Sequence, residues 1–240
     1  MRPVLTLLLV FTIASLSAQN WGKRTTVKGN GDVVTQERSV SDFDGISACC
    51  SLKVELRKGS HGVKVEAESN IQEYIRTEVR GGRLQIGYKN NVNVKQTMKV
   101  TVYVSVPELD YIGASSSSKI TGKDSFSGED LELDVSSSAT IEFAFSGDRV
   151  DADASSSGKI YLTGKGNRIT ANVSSGAKIR AGEYMTKKAR AGASSGGGVT
   201  VHASDELIAD ASSGGSVRYS GSPSTVDSDT SSGGSVRRDN

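Results

Sequence analysis

Aromatic side chains are scarce in this chain. Phe, Trp and Tyr together make up 5% of its 240 residues, against 27 glycines. A globular core of that length draws on more large apolar groups than are present, so the composition favours a thin interior filled by one or two layers of aliphatics. A surplus of one charge is missing too. Lys and Arg number 29 and Asp and Glu 27, interspersed throughout, so the formal net charge is +2. That excludes a nucleic-acid footprint and a polybasic membrane patch. Histidine is limited to His61 and His202, in unlike contexts, and no Cys/His cluster has metal-ligand spacing. Each histidine reads as a surface residue. Long apolar runs are absent after the first 18 residues, which excludes a later membrane-spanning helix.

Cysteine is limited to the adjacent pair Cys49 and Cys50. Neighbouring cysteines rarely bridge, because the ring is strained and the two Cβ atoms diverge in extended chain. The pair reads as small turn or buried residues with no redox role. A vicinal or an intermolecular bridge is the alternative.

The N-terminus is a signal segment. Arg2 supplies a positive start, Val4 to Ile13 is apolar but for Thr6 and Thr12, and Ala14 to Ala18 is a small-residue stretch with a cut after Ser17 or Ala18. Residues 1–18 are therefore expected to be removed on export. The remainder is expected to lie in the periplasm, on the outer-membrane surface or outside the cell.

What is abundant is repetition. A phrase of two serines, two more small residues, a polar or small residue and then Ile or Val occurs seven times. It starts at Ser115, Ser136, Ser155, Ser174, Ser194, Ser212 and Ser231, in steps of 21, 19, 19, 20, 18 and 19 residues. A fixed period near 19 marks a solenoid in which each repeat is one coil stacked on the last. Counting the first serine as position 0, position +5 is always Ile or Val, from Ile120 to Val236. Positions −5, −3 and −1 are mostly aliphatic and alternate with polar residues, the period of a half-buried strand. Each coil is thus expected to hold two short strands joined by a Ser/Gly corner and closed by a turn such as Gly122-Lys123-Asp124 or Gly164-Lys165-Gly166-Asn167. Equivalent residues should lie about 4.8 Å apart, giving a rod roughly 30–35 Å long. Residues 19–108 are less regular: Val63, Val65 and Ala67, then Leu84 and Ile86, then Val100 to Val106 alternate as strands, and Ile71 to Val79 suits a short helix or turn. Ile46 to Val54 mirrors Ile112 to Ile120 and places Cys49-Cys50 on the serine pair. This region is expected to start or cap the solenoid, continuous with the repeats of 109–240.

Phe43-Asp44-Gly45-Ile46, Val63-Lys64-Val65-Glu66-Ala67, Gly82-Arg83-Leu84-Gln85-Ile86 and Val106-Pro107-Glu108-Leu109 precede the Ala-Ser-Ser repeats in a familiar order. In that order the chain resembles the auto-transporter adhesin head domains of GIN type, exported proteins frequent in Bacteroidetes. The resemblance runs from about residue 40 onward. It implies an all-β, right-handed parallel β-helix at the cell surface or in the periplasm, and it carries no catalytic or binding residues to transfer. No membrane-barrel pattern accompanies the repeats.

The candidate chemistry is sparse. Ser116, Ser156 and Ser175 each precede a lysine by three residues, the spacing of some acyl-transfer sites, but at a β corner and without companion motifs. Position −2 carries Asp134, Asp153, Asp210 and Asp229. Stacked carboxylates repel, so the row is expected to pair with Lys119, Lys159, Lys178 and Arg190, with calcium as the alternative occupant. The Ser/Gly stripe reads as hydroxyls satisfying corner backbone groups, ahead of a surface for a glycan or other polymer. Tyr161 and Tyr219 occupy comparable outer positions, and Trp21 lies near the start. The function expected is a non-enzymatic surface binding module, an adhesin, with a glycan or protein ligand. The alternatives are an envelope structural protein without a ligand, or a polysaccharide-acting enzyme, which the short turns disfavour. The C-terminal coil leaves a sheet edge, guarded by Arg237 and Arg238 or else stacked end to end on a second molecule.

Overall fold

Alternating aliphatics in a glycine- and serine-punctuated chain dictate strands that bury one face and turn often, and twenty of them form among the described residues. The computed structural model describes residues 25–239. The signal segment and Trp21 lie outside them. In chain order the strands are β1 (Thr25–Lys28), β2 (Val33–Arg38), β3 (Gly45–Ala48), β4 (Lys53–Lys58), β5 (Gly62–Glu68), β6 (Ile75–Arg80) and β7 (Arg83–Tyr88). Then come β8 (Val92–Lys95), β9 (Thr101–Val106), β10 (Tyr111–Ala114), β11 (Lys119–Ser127), β12 (Asp130–Val135), β13 (Thr140–Ala154), β14 (Lys159–Val173) and β15 (Lys178–Ala193). The last are β16 (Gly198–His202), β17 (Glu206–Ala211), β18 (Ser216–Ser220), β19 (Thr225–Thr230) and β20 (Ser235–Arg238). One 3₁₀ turn, Gln72–Tyr74, precedes β6, so the segment 71–79 is half turn and half strand.

From β10 onward the fold is a parallel β-solenoid, each coil in register with the next. Ile120 lies beside Ile141, Ile141 beside Ile160, and Ile160 beside Ile179. The column continues through Val199, Val217 and Val236. Ile112, Leu133, Ala152, Ala171, Ala191 and Ala209 form a second inward column, all buried. Burying each of the Ile and Val side chains contributes about 1.5–3 kcal/mol.

Two features depart from the sequence expectation. In the middle coils the two short strands and the turn merge into one bent strand, in β13, β14 and β15. Gly164, expected in a turn, lies within β14 at φ +120. The reason is packing. Phe145, Gly164 and Tyr184 are neighbours in three successive coils, and a Cβ at Gly164 would collide with the Phe145 backbone carbonyl, whereas the buried Phe145 and Tyr184 rings lie over Gly147 and Gly166. The aliphatic columns therefore do not fill the interior alone. Phe126 and Phe143 stack with ring centroids 5.0 Å apart, and Phe126, Phe145 and Tyr184 are among the largest fully buried side chains. Tyr219 also faces inward, packed against the core, and not outward as Tyr161 does.

The N-terminal region adds two coils out of chain order. β3 pairs with β10 on one side and β7 on the other, and β4 likewise with β11 and β9, all parallel. Beyond them the direction reverses: β6 runs antiparallel to β7, β5 to β9 and β2 to β5. Antiparallel strands close this end of the rod, while β1 and β8 form a separate two-stranded parallel sheet.

Candidate functional site

Each Ser/Gly corner is a tight turn whose two central residues, +1 and +2, have positive φ, the combination of a type I′ turn. The +3 amide donates to the carbonyl at 0, for example Ser118 to Ser115 at 3.1 Å and Gly158 to Ser155 at 2.8 Å. The +2 amide donates to the +1 carbonyl of the next coil, from Ser51 to Ser116 (2.8 Å) through Gly214 to Ser232 (3.1 Å). The backbone therefore satisfies itself, and the expected ladder of serine hydroxyls is not what holds the corner. Among the corner serines only Ser118 is buried and uses its Oγ this way, on the Ala48 carbonyl at 3.0 Å. The +1 and +2 side chains point to solvent.

Beside the corners runs a shallow groove. One stretch of about 350 Å³ is lined by positions −2, −1 and 0 from Ser47 and Gly113 to Ser155. A second, of about 460 Å³, shares Asp153, Ala154 and Ser155 with it and continues to Asp229 and Ser231. Position −2 gives one wall, the serine at 0 the other, and Ala or Val at −1 the floor. No lysine, arginine or histidine lines either stretch. At one end the groove meets a hollow of about 620 Å³ rimmed by Asp44, Asp110, Glu132 and Asp151, with Arg83 and Arg149 among them. The Arg83 guanidinium stacks on Tyr111 at 3.6 Å. Burial, and then the Asp134 carboxylate, push the Tyr111 phenol up to about 12. Burial and then Asp44 push the Asp110 carboxyl up.

All four carboxylates singled out from the sequence, Asp134, Asp153, Asp210 and Asp229, line this groove. Their offsets differ from the expectation. Lys119 pairs with Glu142 at 2.7 Å and not with the row. Arg190 does approach Asp210, at 3.8 Å. Asn172 donates to Asp153 at 3.2 Å, so an amide relieves the row where a cation was expected. Asp134 and Asp153 are adjacent, as are Asp210 and Asp229, with Asn172 and Gly192 between the pairs. Among the described residues no three His, Cys, Asp or Glu side chains form a group able to hold a metal ion.

The remaining sequence candidates are dispersed. Ser116, Ser156 and Ser175 and their lysines are exposed at the first, third and fourth corners of the repeat. The histidines are half-buried and not free on the surface. His61 contacts the Phe43 carbonyl at 2.8 Å and Asp42 at 3.2 Å. His202 lies beside Thr186, whose hydroxyl donates to the His202 carbonyl. Cys49 and Cys50 do occupy a corner, as their alignment with the serines requires, but they are joined in a disulfide. The divergence of Cβ atoms that argued against a bridge holds for extended chain, and Cys50 is not extended: its φ is 71.

A family model described as "Putative auto-transporter adhesin, head GIN domain" matches residues 42–223. The chain belongs to this family. No protein of curated function matches it. A solved structure described as a "putative adhesin" of Bacteroides fragilis superposes with TM-score 0.83 at 15% identity, covering 89% of this chain and all of the other. A second "putative adhesin", of Parabacteroides merdae, gives 0.73 at 20%, covering 90% and all. A "putative lipid binding protein" of Parabacteroides distasonis gives 0.72 at 24%, again over 90% and all. At these identities the three establish a shared fold. No helix among the described residues is long and apolar enough to cross a membrane.

Proposed function

We propose that this adhesin-family chain is an exported, non-catalytic binding module, and that the groove beside the serine corners is its ligand-contacting surface. The observation that carries the reading is continuity: coil after coil contributes the same three positions to one trough with acceptor-rich walls and no lysine, arginine or histidine in its lining, with Arg190 beside Asp210 at 3.8 Å. Such a surface suits an extended polymer presenting hydroxyl or ammonium donors at intervals, contacted by carboxylates at −2 and serine groups at 0. Individual contacts of this kind are weak, and repetition along the rod supplies avidity. The exposed, unassisted serines of the Ser-x-x-Lys phrases support a non-enzymatic role. The signal segment supports export.

Partially deacetylated chitin oligomers are the probe, immobilised beside neutral and anionic glycans. The intact chain is expected to retain the cationic oligomers in a salt-sensitive manner. Asp153→Lys combined with Asp210→Lys is expected to abolish retention without altering the circular dichroism spectrum. Binding that survives both charge reversals would remove the groove from consideration, and no binding to any glycan would remove this ligand class. Cell fractionation tests export: a full-length cytoplasmic product would refute it.

A further inference from the structure

The Cys49–Cys50 disulfide occupies positions 0 and +1 of the coil formed by β3 and β4. The seven later corners carry serine at both positions and adopt the same pair of positive-φ residues without a covalent link. A staple is therefore unnecessary for this turn. Nor is it effective as one. Stabilisation by a cross-link grows with the length of chain it closes, and adjacent residues close the shortest loop possible. The bridge calls for a chemical role.

Its surroundings supply one. The bridge is the first rung of the corner row, since the neighbouring β7 runs straight on through Gly87 and Tyr88. Cys49 Sγ lies against Gly87: a Cβ there would sit 2.9 Å from the sulfur and 3.7 Å from an Arg76 guanidinium nitrogen. Sulfur and cation converge on the space that the glycine leaves. Arg76 is half-buried, and its Nε is buried with no hydrogen-bond partner among the described residues. Both cysteines are partly exposed. Partial exposure beside a cation is the setting in which a thiolate is stabilised, and a more stable thiolate is a faster leaving group in disulfide exchange.

We propose that Cys49–Cys50 is a thiol–disulfide exchange site for an external dithiol reductant, with Cys49 the sulfur that departs as a thiolate beside Arg76. One reductant thiolate attacks Cys50 Sγ, the Cys49–Cys50 bond breaks, and its electron pair leaves on Cys49. The second reductant thiol, deprotonated by solvent, attacks its own sulfur in the mixed disulfide and expels Cys50 as a thiolate. Two electrons pass from the dithiol, which ends as a disulfide, and the two released thiolates take up protons from water to their own equilibrium. The site is independent of the ligand groove's occupant.

The test is timed alkylation of the folded chain with peptide mapping, before and after dithiothreitol. Neither cysteine should label before reduction. Afterwards Cys49 should label faster than Cys50. Arg76→Met should slow Cys49 about three- to tenfold, with Arg76→Lys restoring the rate. The double change Cys49→Ser with Cys50→Ser should leave the melting temperature within about 2 °C. The proposal is overturned by labelling before reduction, by a bridge that yields to dithiothreitol only on unfolding, or by Cys49 no faster than Cys50 in the unmodified chain. It is overturned equally by a loss of more than about 5 °C in the serine variant, which would make the bridge a staple.

Discussion

Glu68 is fully buried, and its carboxylate accepts bonds from the backbone amides of Gly31 (2.7 Å), Thr97 (2.9 Å) and Met98 (3.3 Å) and from the Thr97 hydroxyl. Gly29 packs directly against it, where any Cβ would collide with the carboxylate. Burial pushes this carboxyl up, but the Thr97, Gly31 and Met98 donors outweigh it and hold it at about 2, below the ordinary 4.5. Because the folded value is the depressed one, the stabilisation is complete above about pH 4.5 and is lost as pH falls through about 2. Hydrogen exchange should show protection of 25–38 and 92–98 declining across that window before the repeats open. Glu68→Gln should cost about 1–3 kcal/mol, with the loss confined to the same segments. Tyr184 presents the opposite case. Its buried hydroxyl has no partner among the described residues, so Tyr184→Phe is expected to raise stability by about 1 kcal/mol in chemical denaturation. Neither residue stood out in the sequence. Glu68 ends an ordinary alternating strand, and its partners lie 29 to 37 residues away.

At the scale of elements, the corners carry their own cost. Serine holds the +1 position in all seven copies at φ between 47 and 51, a region costly for any residue with a Cβ. Ser156→Gly removes that strain while adding freedom to the unfolded chain, so its net effect should lie within about 0.5 kcal/mol. Ser156→Val, β-branched in a left-handed turn, should cost about 1–2 kcal/mol. Calorimetry distinguishes the two. The corners and inward columns were legible because they recur at one period and each position obeys a local rule. The aromatic fill was not legible. Phe145 packs over Gly147 and Tyr184 over Gly166 of the preceding coil, and these contacts follow no single-strand alternation. Phe145→Ala is expected to cost about 3–5 kcal/mol, comparable to an ordinary globular core despite the low aromatic content. Likewise the −2 carboxylates were legible as a row, whereas the trough they wall depends on how the corner backbone sits beside them.

For the whole molecule, the order of the coils in space departs from their order in the chain. In the coil of β19 and β20 the inward positions include Ser228 and Thr230 beside the aliphatic Val226 and Val236, and Arg238 reaches Ser222 at 2.8 Å. Two adjacent carboxylates per pair, with no third His, Cys, Asp or Glu joining them among the described residues, predict no calorimetric heat with calcium at millimolar concentration. In the N-terminal region, β3 and β4 lie between coils contributed by later segments on both sides. During synthesis that early coil emerges before either of its neighbours, so both of its edges stay bare until β7, β9, β10 and β11 have followed. Assembly of this rod is thus not a simple N-to-C spooling as the chain emerges. Removal of residues 45–58 would strip a neighbour from four strands at once, β7 and β9 on one side and β10 and β11 on the other, and so part the antiparallel end of the rod from its repeats.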